Sequence, residues 1–295
     1  TLACEAARAL RTALDERRET MEDSRAGAEI LYQVEAAVAT ITFNRPERMN
    51  TISRPMLAQL SAALLEADRD PAVRAVILTG SGRAFCAGLD LVSATGGQRT
   101  GIEGGAAIAV GRSEAVTLDL KTAPPTVLFN MDTPTICAIN GAAAGYGMDT
   151  ALGCDIRIMS ERAKLSAAFV KRGIVPESGG TWYLPRLLGW SKAAELIFSG
   201  RTLSAAESLA LGLASYVVPD DELMPRARAL ALEIAANAPL AVQSAKRLMR
   251  MGQQQGFNDH VHHVYLQFLS LMRTQDAREG MVSFLEKRAP EFQGR

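Results

Sequence analysis

Residues Ile136 to Met159 read ICAINGAAAGYGMDTALGCDIRIM. Two apolar runs, Ile136-Cys-Ala-Ile-Asn140 and Cys154-Asp-Ile-Arg-Ile-Met159, flank a Gly-rich turn and a short helix. Short apolar runs bounded by glycine read as buried strands. A strand, a turn onto a helix and a second strand make one α/β unit, and the same alternation recurs to either side.

Upstream, Ile30-Leu-Tyr-Gln-Val34 and Val38-Ala-Thr-Ile-Thr-Phe43 are separated by Glu35-Ala-Ala37, which predicts a hairpin. Arg54 to Asp68 repeats apolar residues at helical spacing, with Ser53 as N-cap and Pro55 where its missing N–H does no harm. Val73 to Thr79 reads as a buried strand. Residues 92–112 hold six glycines and read as a mobile loop of functional use. Ser113 to Phe129 reads as a helix interrupted near Pro124-Pro125. Residues 191–214 suggest a helix, a stop at Gly200, and a second helix opened by Ser204 with Glu207 completing a capping box. After Pro219 the pattern is helical: Glu222–Asn237, Leu240–Gln255, Asp259–Arg273 and Ala277–Lys287.

Three regions follow: residues 1–28, a mixed core over 29–219, and a helical region over 220–295. No Pro-, Gly- or Ser-rich linker divides them. The first has Leu2, Ala6, Leu10 and Leu14 at helical spacing and is either a capping or oligomer-contact helix or an appended segment, since Met21 would serve as a native start.

Composition narrows the function. Lys plus Arg and Asp plus Glu both number 32, so the chain lacks the positive surplus that nucleic-acid binding needs. Aromatics at 5% argue against base-stacking platforms. Cys4, Cys86, Cys137 and Cys154 form no C-x-x-C pair and are expected as reduced thiols in a cytoplasmic protein. No run is long and apolar enough to span a membrane, and none resembles a signal peptide.

Three segments draw attention because backbone dominates them. Ser81-Gly-Arg-Ala-Phe-Cys-Ala-Gly-Leu-Asp90 follows a strand, and its small residues admit a ligand close to the main chain, or merely make a tight turn. Asn140 to Asp149 opens a helix whose free N–H groups attract negative charge; the same glycines also serve close helix–sheet packing. Gly173-Ile-Val-Pro-Glu-Ser-Gly-Gly-Thr181 holds Glu177 on a turn, as a cap or as a reactive group. Asp149 and Glu177 are thus two carboxylates at the ends of irregular segments, a pattern suited to acid/base work if they meet in space.

Taken together these segments resemble the crotonase (enoyl-CoA hydratase/isomerase) superfamily from about Ile30 to Phe292. Further marks are Asn44-Arg-Pro-Glu-Arg-Met-Asn50, Cys154-Asp-Ile-Arg157, Glu279-Gly-Met281 and Phe284-Leu-Glu-Lys-Arg-Ala-Pro290. The resemblance implies a spiral of ββα units with a C-terminal helical trimerisation region, and a homotrimer or homohexamer. It implies an acyl-CoA substrate whose enolate oxygen is held by two backbone N–H groups, here those of Ala87 and Tyr146. It implies CoA contacts near Met49 and Ala84, Phe85 and Cys86, with Lys287 of a neighbouring subunit reaching a CoA phosphate. No metal and no separate cofactor are expected, coenzyme A being part of the substrate.

The departures bear on reaction type. Hydratases of the family usually carry two glutamates; at those positions this chain has Asp149 and Phe169. Glu177 stands where double-bond isomerases keep their acid or base. The favoured expectation is therefore double-bond isomerisation, with Asp149 and Glu177 as catalytic carboxylates. Hydration of a 2-enoyl-CoA is the alternative, and a non-catalytic acyl-CoA-binding protein is the alternative from another class. His260, His262 and His263 share a helix but lack completing ligands, and Lys246, Arg247 and Arg250 read as a solvent or interface face.

Overall fold

The structure, a computed structural model, describes residues 28–90 and 120–295. The expected N-terminal helix, the Gly-rich loop and the first part of the Ser113–Phe129 helix lie outside the described residues.

The hairpin forms as expected. Strands β1 (Ile30–Glu35) and β2 (Val38–Phe43) pair antiparallel around Ala36 and Ala37, which both adopt positive φ. Parallel strands β3 (Ala75–Gly80), β5 (Thr135–Ile139), β7 (Ile156–Ser160) and β10 (Tyr216–Val218) extend the sheet in the order β1-β2-β3-β5-β7-β10. A second sheet was not read from sequence. It consists of β4 (Ala84–Cys86), β6 (Ala142–Ala144), β8 (Lys164–Ser166) and β9 (Thr202–Ser204) in that order. Each long strand β3, β5 and β7 is followed by a short one, β4, β6 and β8, so the chain winds as a spiral between two sheets. Three-residue strands of small side chains carry too few positions for a period-two pattern, and what fixes them is pairing with partners far along the chain.

Helix α1 (Arg54–Arg69) starts where Ser53 accepts a hydrogen bond from the Met56 amide, and buries Met56, Leu60 and Leu64. Helix α2 (Pro124–Asn130) begins at Pro124, so among the described residues the proline pair opens a helix. At those first positions the missing N–H would be unpaired anyway. Then follow α3 (Tyr146–Gly153), α4 (Gly180–Leu188), α5 (Trp190–Ser199), closed by Gly200 in the left-handed conformation, and α6 (Ala205–Ala210). Both bonds of the Ser204/Glu207 capping box are present. The tail contains α7 (Leu223–Ala235), α8 (Pro239–Gly252), α9 (Phe257–Leu271) and α10 (Gln275–Glu286).

The six-stranded sheet is covered on both faces. One face packs Phe43, Leu78, Cys137 and Met159 into the larger core with Met56, Leu60 and Phe85. The other packs Val38, Ile77, Ile136 and Ile158 against Leu223, Ala227 and Ala231 of α7. Two covered faces explain why its strands read as unbroken apolar runs. Each large side chain so enclosed contributes about 1.5–3 kcal/mol.

Helix α8 is anchored through charges that were expected to face solvent or a partner. Lys246 reaches Asp155 at 2.8 Å and the Thr133 carbonyl at 2.9 Å, while Arg247 and Arg250 both engage Asp132. The loop carboxylates Asp132 and Asp155 sit under the helix, a placement that helical spacing alone does not reveal. Cys86, Cys137 and Cys154 are buried free thiols.

Candidate active site

The first wall of the site leaves β4. The Ala87 amide donates to the Met49 carbonyl at 3.1 Å. Ile52 then pairs with the next stretch: its amide donates to the Gly88 carbonyl at 2.8 Å, and its carbonyl accepts from the Asp90 amide at 3.0 Å. In such a parallel pairing the intervening residue turns its own N–H away from the partner. The Leu89 amide therefore faces the opposite side, toward the cleft that Leu89 lines. This corrects the expectation for Ala87, whose N–H is occupied internally. Ladder parity was the available signal, but the Ile52 partner was not legible in sequence.

A guanidinium secures this bend. Arg45 reaches Asp90 and Glu29, each at 3.1 Å, and donates to the Thr51 carbonyl at 2.7 Å. Asn50 reinforces it by donating to the carbonyls of Ser81 and Ala84.

The second wall is the passage from β6 into α3. Gly145 takes φ 53° and ψ −123°, donates to the Ser166 carbonyl at 3.0 Å, and leaves Tyr146 as the first residue of the helix. Amides in a first helical turn have no intrahelical acceptor, and the helix dipole adds partial positive charge there. The two bends converge: a Cβ on Gly88 would lie 3.0 Å from the Ala144 carbonyl and 4.0 Å from Gly145 Cα.

Between them lies a narrow cleft of about 100 Å³, walled by Leu89, Tyr146, Phe169, Arg172, Ile174 and Glu177 among others. Phe169, Ile174 and the small residues make it mainly apolar. Glu177 is open to solvent along part of its length, yet burial pushes its carboxyl above the usual carboxylate range. Arg172 and Ile174 were not singled out from sequence.

Asp149 is placed differently from its expected partner. It is the fourth residue of α3, buried, and absent from the cleft wall. Its Oδ2 accepts from Ser178 Oγ at 2.8 Å and from the Gly180 amide at 3.0 Å. Its Oδ1 is buried with no hydrogen-bond partner. Burial raises this carboxyl to about 7, with the Glu177 charge adding to the rise and the Ser178 and Gly180 donors opposing it. The expected pair of proton-transferring carboxylates is thus split, with one on the wall and one behind it.

The expected CoA contacts also divide. Ala84, Phe85 and Cys86 have no accessible surface. The Ala84 carbonyl accepts from both Asn50 and Asn140, Phe85 packs edge-on against Phe43, and burial pushes the Cys86 thiol up to about 12. These three shape the bend from inside the core and offer no surface to a ligand. Met49 stands at the rim in the left-handed conformation, and Lys287 is exposed at the C-cap of α10.

Comparison with known proteins follows the same lines. Residues 33–295 match the family model described as enoyl-CoA hydratase/isomerase. The chain is 37% identical over 270 residues to the 1,2-epoxyphenylacetyl-CoA isomerase of Escherichia coli, covering 90% of this chain and 98% of that protein. It is 34% identical to the short-chain-enoyl-CoA hydratase of Clostridium acetobutylicum, covering 89% of this chain and 96% of the other. Its structure resembles that of an enoyl-CoA hydratase from Bacillus anthracis, with a TM-score of 0.81, 34% identity, and coverage of 91% and 100%.

Proposed function

The chain belongs to the enoyl-CoA hydratase/isomerase family, and from that premise we propose that it moves a carbon–carbon double bond in an enoyl-CoA thioester, with Glu177 as the single proton carrier. The thioester oxygen sits between the amides of Leu89 and Tyr146. The Glu177 carboxylate removes a proton from C2 of a 3-enoyl-CoA, and the electron pair delocalises onto the thioester oxygen as a dienolate. The Glu177 carboxyl then returns the same proton to C4, which places the double bond between C2 and C3. Atoms and charge balance within substrate and Glu177.

The observation that carries this reading is the cleft wall itself: among the described residues Glu177 is its one carboxylate, and Phe169 fills the position where a hydratase keeps another. An apolar wall excludes the water that hydration would have to hold and polarise. A partly buried base with a raised pKa is also better matched to carbon acids near neutral pH than a solvated carboxylate.

The substrate's nucleotide end is assigned to the rim at Met49 and to Lys287 of a neighbouring copy. The exposed Tyr265, Leu266, Phe268 and Leu269 of α9 and Phe284 and Leu285 of α10 favour assembly into a trimer or hexamer.

Incubation of the protein with 3-hexenoyl-CoA and, separately, 2-hexenoyl-CoA in heavy-oxygen water tests the reading. A shifted double bond without oxygen incorporation is expected, and Glu177→Gln should lose at least about a hundredfold in kcat. Oxygen uptake into 2-hexenoyl-CoA at a comparable rate would instead assign hydration.

A further inference from the structure

We propose that Asp149 is a positioning residue: it keeps its proton while the enzyme turns over and holds the 177–180 turn through Ser178 and Gly180, without exchanging protons with substrate. The proposal rests on Glu177 being the proton carrier, and it assigns a different duty to a position where hydratases of the family carry a reactive glutamate.

The geometry separates the two duties. From the fourth position of α3 the short Asp149 side chain ends against the entrance of α4, behind the cleft wall. Oδ2 gathers the Ser178 hydroxyl and the Gly180 amide, the two groups that fix the backbone immediately after Glu177. Gly179 between them takes φ 113°, so this turn depends on an unusual backbone conformation that the carboxyl bonds from both sides. Oδ1 lies so close to Gly180 that a Cβ there would overlap it, and it has no donor.

A bare anionic oxygen buried without a donor is costly, whereas a neutral carboxyl keeps both Oδ2 bonds and removes the charge. Ionisation would place a negative charge behind Glu177 and raise that group further, which disfavours the carboxylate form the reaction needs. The other titratable groups facing Asp149 or its helix are Tyr146 on α3, Tyr183 on α4 and Cys86 on β4, all pushed upward by burial. Helix α2 and strand β6 contribute no titratable side chain. Asp149 and Glu177 are therefore the two carboxyls raised together here, and their titration steps belong to the pair.

The test uses Asp149→Asn, whose amide copies the shape and neutrality of the protonated carboxyl, beside Glu177→Gln and Asp149→Ala. Three readouts are taken from pH 5 to 9: kcat with 3-hexenoyl-CoA, deuterium exchange at C2 of hexanoyl-CoA in heavy water, and the infrared band of neutral carboxyl groups. In the wild type, a neutral-carboxyl band should vanish as pH climbs through about 7. Asp149→Asn should keep kcat within about threefold at pH 6 and lack the band. Asp149→Ala should lower kcat roughly tenfold or more with KM little changed, through the loosened turn. A loss in Asp149→Asn at every pH as deep as that in Glu177→Gln would overturn the proposal, because it would mean direct proton exchange. So would a wild-type spectrum at pH 6 with no band that the substitution removes. Full activity in Glu177→Gln would instead defeat the isomerase reading, while the infrared band would still report the Asp149 proton.

Discussion

The Ala87 amide donates to the Met49 carbonyl across 3.1 Å, and Met49 reaches that place by adopting φ 56°. The bond turns the backbone of the 87–90 stretch so that Leu89, two residues on, presents its N–H to the cleft. Opposite it stands the first amide of α3. In the reaction proposed above these two amides flank the thioester oxygen, and donors held on rigid bends need little reorganisation when charge develops there.

Their contribution is measurable at Tyr146. Proline is tolerated at the first position of a helix, so Tyr146→Pro removes one donor with modest cost to folding. Its kcat should drop about 10²–10³-fold, equivalent to roughly 2.7–4 kcal/mol of transition-state stabilisation. Tyr146→Ala, which keeps the N–H, should retain most of the activity. Equal losses in the two variants would move the contribution from the amide to the side chain.

Gly88 joins the two walls. It holds φ 97°, and a Cβ there would lie 3.0 Å from the Ala144 carbonyl. Gly88→Ala combines backbone strain with a forced separation of the bends, and should cost about 1–3 kcal/mol in stability. A larger fractional loss is expected in kcat than in KM, since the distance between the Leu89 and Tyr146 amides is what changes. Steady-state kinetics on the folded variant decides the point.

Legibility in the sequence followed the range of the interactions. The hairpin, the long strands and the C-terminal helices were readable because each is set by a run of its own residues, as in Val38–Phe43 or Leu223–Ala235. The short strands Ala84–Cys86 and Ala142–Ala144 were not, because small residues acquire strand geometry only from distant partners. The site split likewise. Glu177 and Tyr146 stand on local turns with their own glycines, and both line the cleft. Ala87 was displaced by Leu89 because Met49 and Ile52, roughly forty residues away, settle which amides are used. Asp149 is an acid/base residue by type, and only the fold reveals that it lies buried against Ser178 and Gly180 instead of lining the cleft.

The Arg45 cluster should behave as a unit. Arg45 bonds Asp90, Glu29 and Thr51, so Arg45→Met takes the guanidinium from two carboxylates at once, Glu29 keeping the Ser53 hydroxyl, whereas Asp90→Asn leaves Arg45 with Glu29 and a carbonyl. Breaking a largely buried pair costs about 3–5 kcal/mol, discounted toward the lower end where Glu29 is partly solvated. Arg45→Met is expected to be the more destabilising of the two by chemical denaturation. It should also lower kcat through the Leu89 bend; an ordering with Asp90→Asn as the worse variant would contradict the cluster.

The proposed reaction type makes Phe169 a test position. Phe169→Glu places a second carboxylate on the cleft wall beside that of Glu177, at a cost in stability because the position is buried. The variant should show oxygen incorporation from heavy-oxygen water into 2-hexenoyl-CoA that the parent lacks, with slower bond migration. No gain in a folded variant would mean that the apolar wall is not what withholds water.

The buried proton of Asp149 also leaves a mark on folding. The carboxyl titrates near its ordinary value of 3.8 in the unfolded chain and at about 7 in the folded one. Below the first value both states hold the proton and the group is silent. Between the two, the folded state keeps a proton that the unfolded state has released, so stability falls as pH rises, and the deficit is complete above about 7. At 1.36 kcal/mol per unit the full deficit is on the order of 4 kcal/mol at most. Asp149→Asn lacks the proton and hence the decline. Chemical denaturation of both proteins at equal concentration should give similar stabilities near pH 4 and an increasing advantage for the variant up to pH 8. A difference that stays flat with pH would mean that Asp149 is ionised in the folded protein, and that the charge behind Glu177 is permanent.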